Sequence, residues 1–109
     1  EAPAPESDNI RARVEAARER QSRRYSGTAI PFNAGIPGGA IREYCRFTPE
    51  ALDRYKAIVE QNTLTTRTMD RLAKVARTVA DLEGAEDLHP SHLDSAARFV
   101  VGGVLRDSF

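Results

Sequence analysis

The sequence predicts an all-α fold: a compact bundle of four to five helices preceded by a disordered N-terminal linker. Three observations carry this. Apolar residues recur with a 3.6-residue period over two long segments near residues 66–83 and 90–104. Helix start and stop signals bracket those segments at the right places. No segment alternates apolar and polar residues as a half-buried strand would, and no internal repeat is visible. The core must be built from Leu, Val, Ile and Ala, because Trp is absent and aromatic residues make up 6% of the chain. With 109 residues, 40% of them hydrophobic, the chain has the size and apolar content of one domain.

Residues 1–7 are rich in Pro, Ala and Glu and read as a flexible linker from a longer protein, leaving 8–109 as the helical domain. This polar opening is unlike a signal peptide. Ser7 or Asp8 is the expected cap of a first helix, DNIRARVEAARERQSRRY, with a thin apolar stripe of Ile10, Val14 and Ala17. SGTAIPFNAGIPGG is a loop by its Gly, Pro and Asn content. A short helix over AIREYCRF follows, with Ile41, Tyr44 and Cys45 facing inward. Thr48-Pro49-Glu50 places a capping hydroxyl, a proline at the first helical position and an acid in the first turn. The helix it starts runs to about Gln61, with Leu52, Tyr55, Ile58 and Val59 on its apolar side.

The next helix has Thr65 as its cap and Gly84 as its terminator. Met69, Leu72, Ala73, Ala76, Val79 and Ala80 form its buried face, and Asp70–Lys74 and Arg77–Asp81 are i, i+4 ion pairs. The last helix begins near Pro90. Leu93, Ala96, Ala97, Val100, Val101 and Val104 face the core, and Gly102-Gly103 weakens its end.

The formal net charge is zero, so no global field points to nucleic acid or membrane. No apolar run approaches the roughly 20 residues a membrane span needs. The single cysteine, Cys45, builds no disulfide framework, suits a reducing, cytoplasmic setting, and reads as a buried, inert thiol. GIPGG at 35–39 lacks the strand and the Lys-Ser/Thr of a P-loop. His89 and His92 find no third ligand in the sequence and read as helix-cap or surface residues rather than a metal site. No acid/base pair or nucleophile stands out, so the chain is not expected to be an enzyme on its own.

Charge is uneven, however. Residues 10–46 hold eight arginines against Glu15, Glu19 and Glu43. Arg11, Arg13, Arg18, Arg20, Arg23 and Arg24 crowd the first helix and its exit: a solvated face, a phosphate-backbone contact or a subunit interface. Arg67 poses a different question. A cation in the first turn of a helix opposes the macrodipole at a cost of a few tenths of a kcal/mol. Either it forms a salt bridge with Asp70 at i+3, or it joins the free N–H groups of the helix start as an anion-binding corner.

SDNIRARVEAARERQ, the Asn-Ala of Phe32-Asn33-Ala34, REYC, and above all TLTTRTMDRLAKVARTVADLEG followed by PSHLDSA resemble, in order and spacing, the C-terminal domain of magnesium-chelatase-like ATPases of the ComM type, from about Ser7 to Ala97. The resemblance implies the helical lid of an AAA+ module, following an α/β core in the same chain that binds ATP with Mg2+. It implies a homo-hexameric ring working on DNA branch migration or, in the chelatase relatives, on magnesium insertion. Thr65-Thr66-Arg67 occupies the family's Ser-Ala-Arg positions, which implies Arg67 as the sensor-2 arginine. Thr66 and Arg71 would line the same seam, and Arg77 would be structural. The tail ARFVVGGVLRDSF departs from the family's Tyr-Arg ending. The fragment alone, offering one arginine and a helix end, is expected to hold nucleotide at best at about millimolar strength.

Overall fold

The structure, a computed structural model, describes the backbone of residues 5–107 and the side chains of residues 9–101. Of the linker expected over residues 1–7, residues 1–4 lie outside the described residues and residues 5–7 belong to the first helix; the burial expected for Val104 also lies outside the described side chains. Five α-helices run in order: α1 Pro5–Arg24, α2 Ile41–Cys45, α3 Pro49–Asn62, α4 Thr66–Glu83 and α5 Pro90–Asp107. Two short 3-10 turns, Asn33–Gly35 and Gly38–Ala40, give form to the loop between α1 and α2. No strand is present among the described residues. Phe47 and Leu88 form one isolated parallel bridge, with Thr48 N–H donating to Leu88 O at 3.0 Å and Leu88 N–H to Arg46 O at 2.9 Å. That bridge aligns the starts of α3 and α5.

Helix α4 is the centre of the bundle. It packs against α5, α1, α2 and the Asn33 turn, while α3 packs on α5. Its inner face is Leu72, Ala73, Ala76 and Ala80, all fully buried. Three of these four are alanines, so neighbouring backbones approach closely. Leu93, Ala96 and Val100 of α5, Ile41 and Cys45 of α2, Ile58 of α3 and the loop residue Ile36 complete the core.

The boundaries follow local chemistry. Thr48 accepts a hydrogen bond from Ala51 N–H at 3.1 Å and caps α3. Gly84 ends α4 at φ 80°, with its own N–H on Asp81 O and Ala85 N–H on Ala80 O at 2.8 Å. Helix α1 starts at Pro5, ahead of the Ser7 or Asp8 cap, because proline suits the first helical position. Ile10, expected on the buried stripe, is 55% exposed, whereas Ala17 is buried. Among the described residues, contact of α1 with α4 reaches back to Arg13, whose Nε donates to Leu82 O. Helix α5 continues through Gly102-Gly103 to Asp107; the two glycines lower propensity by about 1 kcal/mol each without breaking the helix.

Candidate functional site

The corner that presents Arg67 is assembled from three consecutive backbone decisions. Thr63 ends α3 in the left-handed region at φ 50°, and Leu64 N–H returns to Val59 O at 3.1 Å. Thr65 then turns extended, φ −73° and ψ 164°, and its Oγ1 accepts from Thr68 N–H at 3.2 Å. Helix α4 starts at Thr66, so Arg67 stands second in it. Tyr55 of α3 fixes this turn from behind by donating to Met69 O at 3.1 Å. Burial pushes the Tyr55 phenol up to about 12, with the nearby Asp70 charge adding to the shift.

Thr66, Arg67 and Arg71 are all exposed. Arg67 forms no salt bridge with Asp70, and neither Arg67 nor Arg71 pairs with an acid among the described residues. The spacing permitted the Arg67–Asp70 pair without requiring it. Lys74 likewise leaves Asp70 and donates instead to Ala34 O at 3.2 Å. Arg67, Arg71 and Lys74 thus share one face of α4. With Ala34, Val75 and Thr78 they line a groove of about 500 Å³, and Asp70 is the one acid on its wall.

The basic residues of α1 separate into two groups. Arg24 turns inward. It donates to Asp81 through both terminal nitrogens, at 2.9 and 2.6 Å, and to Asn33 Oδ1 at 3.2 Å. Burial alone would lower its pKa; the hydrogen bond and charge of Asp81 outweigh that, and the net direction is up. Arg24 therefore stands apart from any exposed phosphate or partner contact. Arg13 reaches Leu82 O at 3.3 Å through Nε. Arg11, Arg18 and Arg23 are exposed, and Arg20 is half-buried. Arg20 and Arg23 edge a second cleft of about 400 Å³ against Tyr44, Arg46 and Glu86. There Arg46 is neutralised by Asp87 at 2.9 Å.

A buried polar network joins α1, the loop and α4. Asn33 is 2% exposed. Its Oδ1 accepts from Tyr25 Oη at 2.6 Å, and its Nδ2 donates to Thr78 Oγ1 at 3.0 Å and Asp81 Oδ2 at 2.9 Å. Its backbone N–H donates to Gln21 Oε1 at 2.8 Å. Arg77, fully buried, pairs with Asp81 at 3.1 Å as its spacing implies. It also donates to the carbonyls of Cys45, Ala85 and Glu86, which no spacing rule foretells. Burial lowers the Arg77 pKa, with Asp81 opposing. Cys45 is fully buried, and desolvation pushes its thiol up to about 12, which disfavours the thiolate a nucleophile needs. His92 is 2% exposed. Its Nδ1 accepts from His89 N–H at 2.9 Å, a side-chain cap at the start of α5, and its Nε2 faces Glu83 Oε1 at 2.9 Å. Among the described residues, no group of three or more His, Cys, Asp or Glu could hold a metal ion, and no helix is long and apolar enough to cross a membrane.

The model of the family described as magnesium chelatase, subunit ChlI C-terminal, matches residues 4–99. The chain belongs to this family. Two relatives agree. The uncharacterized protein YifB of Escherichia coli K12 is 32% identical over 97 residues, covering 89% of this chain and 18% of its own length. The protein of the same name from Salmonella typhimurium LT2 is 34% identical over 93 residues, 85% of this chain and again 18% of its own. This ChlI-type C-terminal domain thus spans about a fifth of the length of the curated relatives it matches. No solved structure is a significant match.

Proposed function

We propose that the chain is the helical lid of a magnesium-chelatase-like AAA+ ATPase of the ComM type, and that Arg67 is its sensor-2 residue. The observation that carries this reading is the Arg67 corner: an exposed guanidinium without an acidic partner among the described residues, one position inside a helix whose start is fixed by Thr65. These groups fit a phosphate. The guanidinium is a charge-assisted donor, and the adjacent free N–H groups carry the positive end of the helix dipole. ATP with Mg2+, held by the core domain of the same chain, would supply the phosphoanhydride to be cleaved.

Arg67 then donates to the terminal phosphate across the core–lid seam, with Thr66 and Arg71 beside it. When that partner leaves, Arg67 loses its bond and the lid is free to rotate. In a homo-hexameric ring such rotation is the motion that does work on the substrate. The buried Arg24–Asp81–Asn33 network keeps α1, the loop and α4 together, so the lid turns as one body. The test is ATPase turnover of the full-length cytoplasmic protein carrying Arg67→Ala or Arg67→Lys. A collapse of turnover or of ATP affinity in Arg67→Ala, with the domain still folded, supports the reading; unchanged turnover overturns it.

A second reading rests on the exposed Arg11, Arg18 and Arg23 of α1. They would contact a DNA backbone or a protein partner without Arg24. Salt-dependent binding of duplex DNA, lost when these three are changed to Ala while Arg67→Ala retains it, would favour this reading.

A further inference from the structure

We propose that Lys74 is a second phosphate-binding residue of the site headed by Arg67, and that the Asn33–Ala34 turn holds it in place for that role. This rests on the sensor-2 reading above and extends it to a residue two turns along α4. Three observations point to it.

The first is the position of the ammonium. Sequence spacing directs Lys74 to Asp70, but its Nζ lies 3.2 Å from Ala34 O. A carbonyl satisfies one of the three donor hydrogens and leaves the charge unneutralised. No acid pairs with Lys74 among the described residues, although its side chain is half-buried.

The second is the rigidity of the anchor. Ala34 follows Asn33, whose side chain and backbone are held by Gln21, Tyr25, Thr78 and Asp81 at 2.6–3.0 Å. Thr78, one turn beyond Lys74, also donates to Lys74 O at 3.1 Å. The ammonium is therefore presented from a fixed point, with less freedom to lose on binding than an unanchored lysine has.

The third is the shared groove. Arg67, Arg71 and Lys74 place three cations on its wall against the single carboxylate of Asp70, in a chain whose formal net charge is zero. A concave surface concentrates such a field. From Arg67 to Lys74 the backbone rises about 10 Å, longer than one phosphate and matched to a chain of them. A nucleoside triphosphate, lying along the groove with its terminal phosphate at Arg67, is the ligand this spacing selects.

The test uses full-length protein and fluorescent ATP and ADP analogues under conditions that prevent hydrolysis. Lys74→Gln removes the charge and keeps an N–H donor one bond shorter, while Gln21, Tyr25, Thr78 and Asp81 still hold the turn. Lys74→Arg restores the charge. Because Lys74 lies at the far end of the phosphate chain from Arg67, the expected result is about a tenfold loss of affinity in Lys74→Gln for the ATP and ADP analogues alike, and recovery in Lys74→Arg. Wild-type affinity in Lys74→Gln overturns the proposal. If Arg67→Ala alone weakens binding, the sensor reading survives and the role of Lys74 falls. If neither variant changes binding, both fall. Unchanged thermal unfolding of Lys74→Gln distinguishes lost contact from lost fold.

Discussion

Arg24 and Asp81, 57 residues apart, meet in a two-point ion pair of 2.9 and 2.6 Å at the seam of α1 and α4. The Asp81 carboxylate is fully buried and also receives Arg77 and Asn33. One anion therefore holds two cations and a buried amide. Removing it leaves two largely desolvated guanidiniums without their counter-ion, the more costly way to break a buried pair. We expect Asp81→Ala to lower unfolding free energy by about 3–5 kcal/mol, measured by urea titration. Arg24→Ala, at a side chain 16% exposed, should cost less, because Arg77 still neutralises Asp81.

Thr63 offers the opposite case. It is a β-branched residue at φ 50°, in the region such side chains avoid. It is exposed, so a change there disturbs no packing. Thr63→Gly should raise stability by about 1 kcal/mol, seen as an upward shift of the urea midpoint at constant slope. A loss of stability would mean that the Thr63 side chain contributes more than its backbone costs.

The stretches legible from sequence are those whose causes are local. Thr48-Pro49-Glu50 starts α3 and Thr65 and Gly84 bound α4 because cap chemistry acts within four residues. The alanine face of α4 and the inward Ile41 and Cys45 follow from periodicity in the same way. What was not legible depends on distant partners. Lys74 can reach either Asp70 or Ala34 O, and only the folded loop, 40 residues away, decides. Asn33 has the composition of a turn residue, yet 45 residues further on Thr78 makes it a buried hub. Arg24 looked like its exposed neighbours until α4 brought Asp81 to it. In the candidate site, the position of Arg67 was readable from the cap, but its freedom from Asp70 was not.

That freedom has a stability signature of its own. Arg67 opposes the α4 macrodipole and makes no compensating pair among the described residues. Arg67→Glu should therefore stabilise the isolated domain by about 0.3–1 kcal/mol in low salt, the gain shrinking as salt is raised. Thermal unfolding at two ionic strengths measures it. If Arg67 were held for structural reasons, the same change would destabilise the domain. A gain in stability together with loss of ATP turnover in the full-length protein would mark a residue kept at a cost for function.

Cys45 and Tyr55 set the alkaline limit of the fold. Burial raises the Cys45 thiol from 9.0 to about 12 and the Tyr55 phenol from 10.0 to about 12, and it also raises Tyr25. At pH 7 all three are protonated in both folded and unfolded chains, and their contribution is fully present. Above pH 9 the unfolded chain releases the cysteine proton while the folded chain keeps it. The unfolded state then binds fewer protons, so unfolding free energy falls as pH rises. The tyrosines add to the slope above pH 10, and the loss continues until the folded groups ionise near 12. Urea titrations at stepped pH should show stability falling from about pH 9 upward. Cys45→Ala should be less stable at pH 7, because it leaves a small void, yet lose stability less steeply between pH 9 and 10 than the wild type. An identical slope in the two proteins would rule out the buried thiol as the group responsible.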